Sequence, residues 1–247
     1  MKGFGSYKVL LKPKHFEGLS VSMTERGLEF NCEIDDSNRE EELSDSERLI
    51  RKHRETITMS INPVDWSLQD LKTYFSSAQK KYAPDEMIST SYTLSDDYDL
   101  KWKLSDWDEY GIVEGQQFVL VAWSGRKPVG YVVLDVGLRR YAVEKTLLLS
   151  CEIALVYVHP NRRDCGYGTD LAIACGLFLK DMLEAAYRAA PPRYKLSSLI
   201  QADYESVGGE HFVMKVRNSL QSGVICLQYM GERKSIQVAD VELDAGY

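Results

Sequence analysis

Residues Thr56 to Asn62 alternate Thr56, Thr58 and Ser60 with Ile57, Met59 and Ile61, the two-residue period of a strand with one buried face. Pro63 ends that strand. Asp65 is read as the N-cap of a helix over Trp66 to Tyr82, in which Leu68, Leu71, Phe75, Ala78 and Tyr82 recur at helical spacing before Pro84. Two apolar runs, Gln117 to Trp123 and Pro128 to Val136, flank Ser124-Gly125-Arg126-Lys127 and predict an antiparallel hairpin. A third run, Thr146 to Val158, is long and strongly apolar, and the turn residues His159-Pro160-Asn161 end it. Leu171, Ala174, Cys175, Phe178, Leu179, Met182, Leu183 and Ala186 then mark one face of a helix that stops by Pro191-Pro192. The remainder predicts a strand from about Lys195 to Ala202, a short helix from Gly209 to Leu220, and two strand-like runs, Val224 to Tyr229 and Ser235 to Leu243.

Ahead of this series, Tyr7 to Leu11 and Leu19 to Ile34 carry the β-branched and aromatic content of strands, with Glu25-Arg26-Gly27 as a turn inside the second. In the stretch from Asp35 to Glu47, Asp35, Asp36, Glu40, Glu41, Glu42, Asp45 and Glu47 face only Arg39 as counter-charge, and it reads as a solvated linker. Residues 89–113 are rich in Asp, Ser, Trp and Tyr without a period that assigns them. The expected organisation is a small β-rich extension with an acidic linker over residues 1–50, followed by one α/β domain over residues 55–247.

Composition narrows the class of protein. The chain has 247 residues with the apolar and charged fractions of an ordinary globular protein. Its longest apolar run, near Leu171 to Leu183, is broken by Lys180 and Asp181, short of the roughly 18 residues a membrane span needs. Met1 to Ser6 lacks the apolar segment of a secretory signal, and Lys8, Lys12 and Lys14 follow. Cys32, Cys151, Cys165, Cys175 and Cys226 show no metal-ligand spacing, nor do His15, His53, His159 and His211. A cytoplasmic protein with reduced thiols and no metal is therefore expected. A net charge of −7 disfavours non-specific nucleic-acid binding and weakly favours cationic substrates.

The informative stretch runs from Glu152 to Leu171, where a buried strand, a loop spaced R-x-x-G-x-G (Arg163, Gly166, Gly168) and an amphipathic helix follow one another directly. Amides at a helix start lack intrahelical acceptors and sit at the positive end of the dipole, so they attract phosphate. Glycines let that backbone approach closely, and Arg163 adds charge at the entrance. A tight turn without a ligand would use similar residues. A dinucleotide-binding loop would need G-x-G-x-x-G, and a P-loop G-K-[ST]; neither is present.

This segment resembles motif A of the GNAT acetyltransferase superfamily, whose Q/R-x-x-G-x-G/A loop is matched by Arg163, Gly166 and Gly168. The order of elements around it, from Glu55 to Leu243, is similar to that family's core. The resemblance implies a mixed, mostly antiparallel twisted sheet flanked by helices, and acetyl-CoA as cosubstrate. It implies that the pantetheine arm pairs with Val156, Tyr157 and Val158, and that the pyrophosphate sits on Arg163, Asp164, Cys165, Gly166, Tyr167, Gly168 and Thr169. Tyr167 and Cys165 also read, residue by residue, as packing groups.

Similarity extends to the histone acetyltransferase branch, whose general base is a glutamate in an E-I pair fourteen residues before the first glycine of G-x-G; Glu152-Ile153 stands in that register. A carboxylate in a largely apolar strand is costly unless solvated, paired or functional, and Ala154 and Leu155 beside it would raise its pKa. Pairing with Lys145 is the structural alternative. The expected activity is transfer of an acetyl group to the primary amine of a small molecule or protein. If Gly223-Val224 matches the family's G-F pair, Ser219 stands where many members carry a tyrosine as general acid. That departure leaves room for a non-catalytic coenzyme-A-binding or protein-interaction module on the same scaffold.

Overall fold

The computed structural model describes residues 6–8, 11, 13–24, 27–30, 57–61, 63, 65–84, 115–203 and 206–246. The acidic linker, the unassigned stretch at 89–113, Cys32, Tyr204 and Glu205 lie outside them.

Three short strands, β1 (Ser6–Lys8), β2 (Val21–Thr24) and β3 (Gly27–Phe30), precede β4 (Ile57–Ile61) and helix α1 (Leu68–Tyr82). The hairpin follows as β5 (Gly115–Ser124) and β6 (Lys127–Tyr141), then β7 (Thr146–Val158), α2 (Tyr167–Ala189), β8 (Lys195–Asp203), α3 (Val207–Lys234) and β9 (Gln237–Gly246). The architecture is mixed α/β. One open sheet runs in the order β4-β5-β6-β7-β8-β9, with β1 alongside β6. Pairings from β4 to β7 are antiparallel, whereas β7–β8 and β8–β9 are parallel, joined by α2 and α3 as crossovers.

Each face of the sheet carries its own apolar cluster. α1 covers one face, packing Leu68, Leu71 and Phe75 on Val119, Val121, Tyr131 and Val133. α2 and α3 share the other, where Leu171, Phe178, Leu183, Val216 and Leu220 meet Leu120, Leu134, Leu149, Cys151 and Ile200. All eight residues read as the inner face of α2 are buried there. Phe16 and Val21 of the N-terminal segment join this second cluster. Val21 N–H donates to Asp181 Oδ2 at 2.8 Å, giving that buried carboxylate a partner. β7 carries one more residue than β6 opposite it: Leu155 pairs with Val133 and Ile153 with Leu134, leaving Ala154 between them as a bulge.

Three details depart from expectation. The N-cap of α1 is Ser67, not Asp65, and a capping box closes with Asp70. Tyr82, on the apolar spacing of that helix, is 44% exposed, with its ring centre 5.6 Å from that of His159. The predicted strand Val224–Tyr229 is the middle of α3, which is one long helix where a short helix and a strand were expected. Val224 and Leu227 are buried while Ile225, Cys226 and Tyr229 are exposed, which is a helical and not a strand period.

Candidate functional site

The β7–β8 ladder opens at Thr146 opposite Lys195 and closes at Glu152 opposite Gln201. β7 itself continues to Val158, paired only with β6, while β8 ends at Asp203. Beyond Glu152, the side of β7 that faced β8 has no strand against it among the described residues. Alternate main-chain groups of residues 153–158 point to that side, as antiparallel pairing with β6 requires. Val156 and Val158 pack toward the α2–α3 cluster and Tyr157 toward α1.

At the far end of this stretch His159 leads into a single 3-10 turn, Pro160–Arg162, with Nδ1 accepting from the Asn161 amide at 3.2 Å. Burial, then the charges of Arg162 and Arg163, hold its imidazole pKa below the usual range. The loop continues through Asp164 (φ 57°) to Gly166 (φ 82°), both left-handed. Gly166 is the N-cap of α2 and offers no side-chain acceptor. The first helical bond is from Asp170 N–H to Gly166 C=O at 3.0 Å, so the amides of Tyr167, Gly168 and Thr169 precede the ladder and face the loop end at the positive pole of the dipole.

Of the residues expected to hold a pyrophosphate, Asp164 is exposed, while Thr169 and Gly168 are part-exposed. Tyr167 is 2% exposed and belongs to the core, and Cys165 packs at its margin. The Arg163 side chain turns toward α1. Its Nε donates to Val158 C=O at 3.3 Å, one terminal nitrogen donates to Gln79 Oε1 at 3.4 Å, and the guanidinium lies 5.7 Å from the Tyr157 ring centre. Tyr157 Oη donates to the same Gln79 oxygen. Arg163 thus ties the loop to α1.

Glu152 sits where the two strands part, about 20 Å along the strand from Val158 at ~3.3 Å per residue. Register places it in a polar row across the sheet: Gln117 opposite Asp135, Asp135 opposite Glu152, Glu152 opposite Gln201, and Gln201 opposite Asp244. Asp135 is two residues from Val133, so the row lies on the α1 side of the sheet. Although much of Glu152 is open to solvent, partial desolvation, then the charges of Asp135 and Asp203, push its carboxyl above the ordinary glutamate range. Asp135 is raised as well, chiefly by burial, against a hydrogen bond from Gln117 Nε2 at 3.1 Å.

Asp135 was not singled out in the sequence, yet it gave the same signal as Glu152, a carboxylate inside an apolar strand. Gln201 and Asp244 gave none, since only the register brings them into the row. Ser219 lies on α3 against Gly176 of α2. The match of Gly223-Val224 to a strand start fails, because both residues are inside α3. His211 is exposed on α3, and Tyr229 is 73% exposed there.

A groove of about 610 Å³, lined by Lys195, Gln228 and residues 235–239, lies at the opposite end of β8 from Glu152. Among the described residues no group of His, Cys, Asp or Glu is arranged to hold a metal, and no helix is long and apolar enough to cross a membrane. Comparison with protein-family models, curated proteins and solved structures gives no match.

Proposed function

We propose that the chain is an acetyl-CoA-dependent N-acetyltransferase of GNAT type, with Glu152 as general base for a primary amine. One observation carries the reading: β7 leaves β8 at a carboxylate and runs, unpaired on that side, into a helix start with no side-chain cap. A strand edge takes an extended, amide-bearing arm by the hydrogen bonding that adds a strand to a sheet, and the backbone at the start of α2 takes its phosphates. These features fit the coenzyme, which supplies an activated acyl thioester.

The chain's own part is orientation and proton transfer. An ammonium cannot act as a nucleophile until it loses a proton, and Glu152 accepts it, directly or through a water. Its raised pKa suits that task, because a stronger base takes the proton more readily. Main-chain N–H near Val156 is the donor assigned to the acyl oxygen. The carboxylates of Asp135, Asp203 and Asp244 around the row favour a cationic acceptor.

A second reading is favoured by the Arg163 side chain, which is engaged with Val158, Gln79 and Tyr157, and by Ser219, which sits in a helix contact. On that reading the scaffold binds coenzyme A, or a protein, without catalysis. Calorimetry with acetyl-CoA and intact-mass detection of acetylated amines separate the two. The enzyme reading expects binding and product, and Glu152→Gln keeps the binding while losing ~10²–10⁴-fold in turnover. Binding without product on any amine supports the module. No heat with either form of the coenzyme removes both coenzyme readings.

A further inference from the structure

Asp135 and Glu152 are direct cross-strand partners on one face of the sheet. Side chains so placed have Cβ atoms about 4.5–5.5 Å apart, and like charges there repel. On its other flank, Asp135 opposes Gln117, whose Nε2 donates to Oδ1 at 3.1 Å and fixes the carboxyl plane. Asp135 Oδ2 is buried and accepts no hydrogen bond among the described residues. A buried, ionised oxygen without a donor is unfavourable. A proton on Oδ2 removes that cost, and the residue opposite Asp135 in the ladder is Glu152.

We infer that Asp135 and Glu152 hold one proton between them, so that Asp135 is the positioning residue that sets the ionisation of the base. The inference rests on the proposed role of Glu152 in proton transfer. Like charges this close do not both ionise freely, and the protons leave in two steps that belong to the pair. The first ionisation leaves one negative charge across two carboxyls. The second, raised, ionisation makes both carboxylates available, with Glu152, the more solvent-accessible, the one an amine reaches. The other groups facing Glu152 are Gln201, its neutral neighbour on β8, and Asp203 farther along that strand. Asp203 contributes a weaker repulsion than Asp135.

Carbon-13 NMR of the full chain, labelled at Asp and Glu side-chain carboxyls and titrated without any ligand, tests this. The wild type should show Glu152 titrating in two steps that mirror those of Asp135. Asp135→Asn should turn the Glu152 curve into a single step displaced downward by ~0.5–1 pH unit, and Asp203→Asn should displace it less. Where turnover is detectable, the acid limb of the kcat/KM profile of Asp135→Asn should move down by the same amount, which loss of packing alone would not produce. Independent single-step curves in the wild type overturn the inference even if the variant fails to fold. The titration needs no activity: coupled curves without acetyl transfer sink the enzyme reading alone, and uncoupled curves with acetyl transfer sink the pair alone.

Discussion

Gly176 of α2 faces Ser219 of α3 so closely that a Cβ at residue 176 would stand 2.2 Å from the Ser219 Cβ and 3.0 Å from the Val216 carbonyl oxygen. The two helices therefore meet backbone to backbone at this point, and a methyl group cannot enter without moving one of them. Gly176→Ala should lower stability by about 1–3 kcal/mol, the usual range for overpacking, despite the better helix propensity of alanine. Ser219→Gly in the same chain should restore part of the loss. Urea denaturation of the two single variants and the double variant measures the coupling, and strictly additive effects would count against a direct clash.

The two loop glycines should separate stability from binding. Gly166 has φ 82°, so Gly166→Ala should cost about 1–2 kcal/mol. A Cβ on Gly168 would meet only Val158 Cγ2, at 3.7 Å, an ordinary contact. Gly168→Ala should leave the melting temperature within a degree or two, since surface changes away from special backbone positions are typically within ~0.5 kcal/mol. On the coenzyme reading it should nonetheless weaken acetyl-CoA binding about tenfold, because a methyl group would stand where a phosphate approaches the amides. Equal affinity by calorimetry in Gly168→Ala would remove that residue from the binding surface.

Asp135 and Glu152 also make a prediction about stability against pH. Both carboxyls are raised in the folded protein, so the folded state holds protons more tightly than the unfolded state does. Stability from this source is present below the unfolded carboxyl pKa and is lost as pH rises through the higher folded value. Asp135→Asn removes the titration while keeping the oxygen that Gln117 contacts. The variant should be more stable than wild type at neutral pH, with the advantage vanishing below the ordinary carboxylate range. Thermal melts of both proteins from acid to neutral pH supply the comparison, and a difference independent of pH would argue against a raised carboxyl at 135.

Ser67 and Asp70 close the start of α1 reciprocally: the Asp70 amide donates to Ser67 Oγ at 3.1 Å and the Ser67 amide to Asp70 Oδ2 at 2.9 Å. Ser67→Ala should cost about 1 kcal/mol, and Asp65→Ala much less. Chemical denaturation of the two variants ranks them, and equal losses would return the cap to Asp65.

The difference between Asp65 and Ser67 illustrates where local reading stops. Both residue types cap helices well, and only the three-residue spacing from Ser67 to Asp70 chooses between them. β7 was legible to its ends because its apolar run is bounded by turn residues, and the inner face of α2 because its period is sustained over several turns. α3 was not, since Val224–Tyr229 is a short, mostly apolar run, broken only by Gln228, that periodicity cannot divide between a buried strand and part of a long helix. The loop and Glu152 were visible as a contiguous string. The row from Gln117 to Asp244 was not, because each member comes from a different strand and only the pairing registers join them.

Taken up as a bulge, the supernumerary Ala154 leaves the acid on β7 looking away from the dry cluster. Strict alternation would set Glu152 on the side of Val156 and Val158, against the dry cluster under α2 and α3. With the inserted residue, the strand changes sides partway along, and the carboxylate emerges on the side of Leu155 and Tyr157 instead. Excising that alanine would therefore leave Ile153 and Leu155 on Leu134 and Val133 as a regular ladder, with the acid and the valines each keeping its present side. What would be lost is the local bend and added twist that a bulge puts between them.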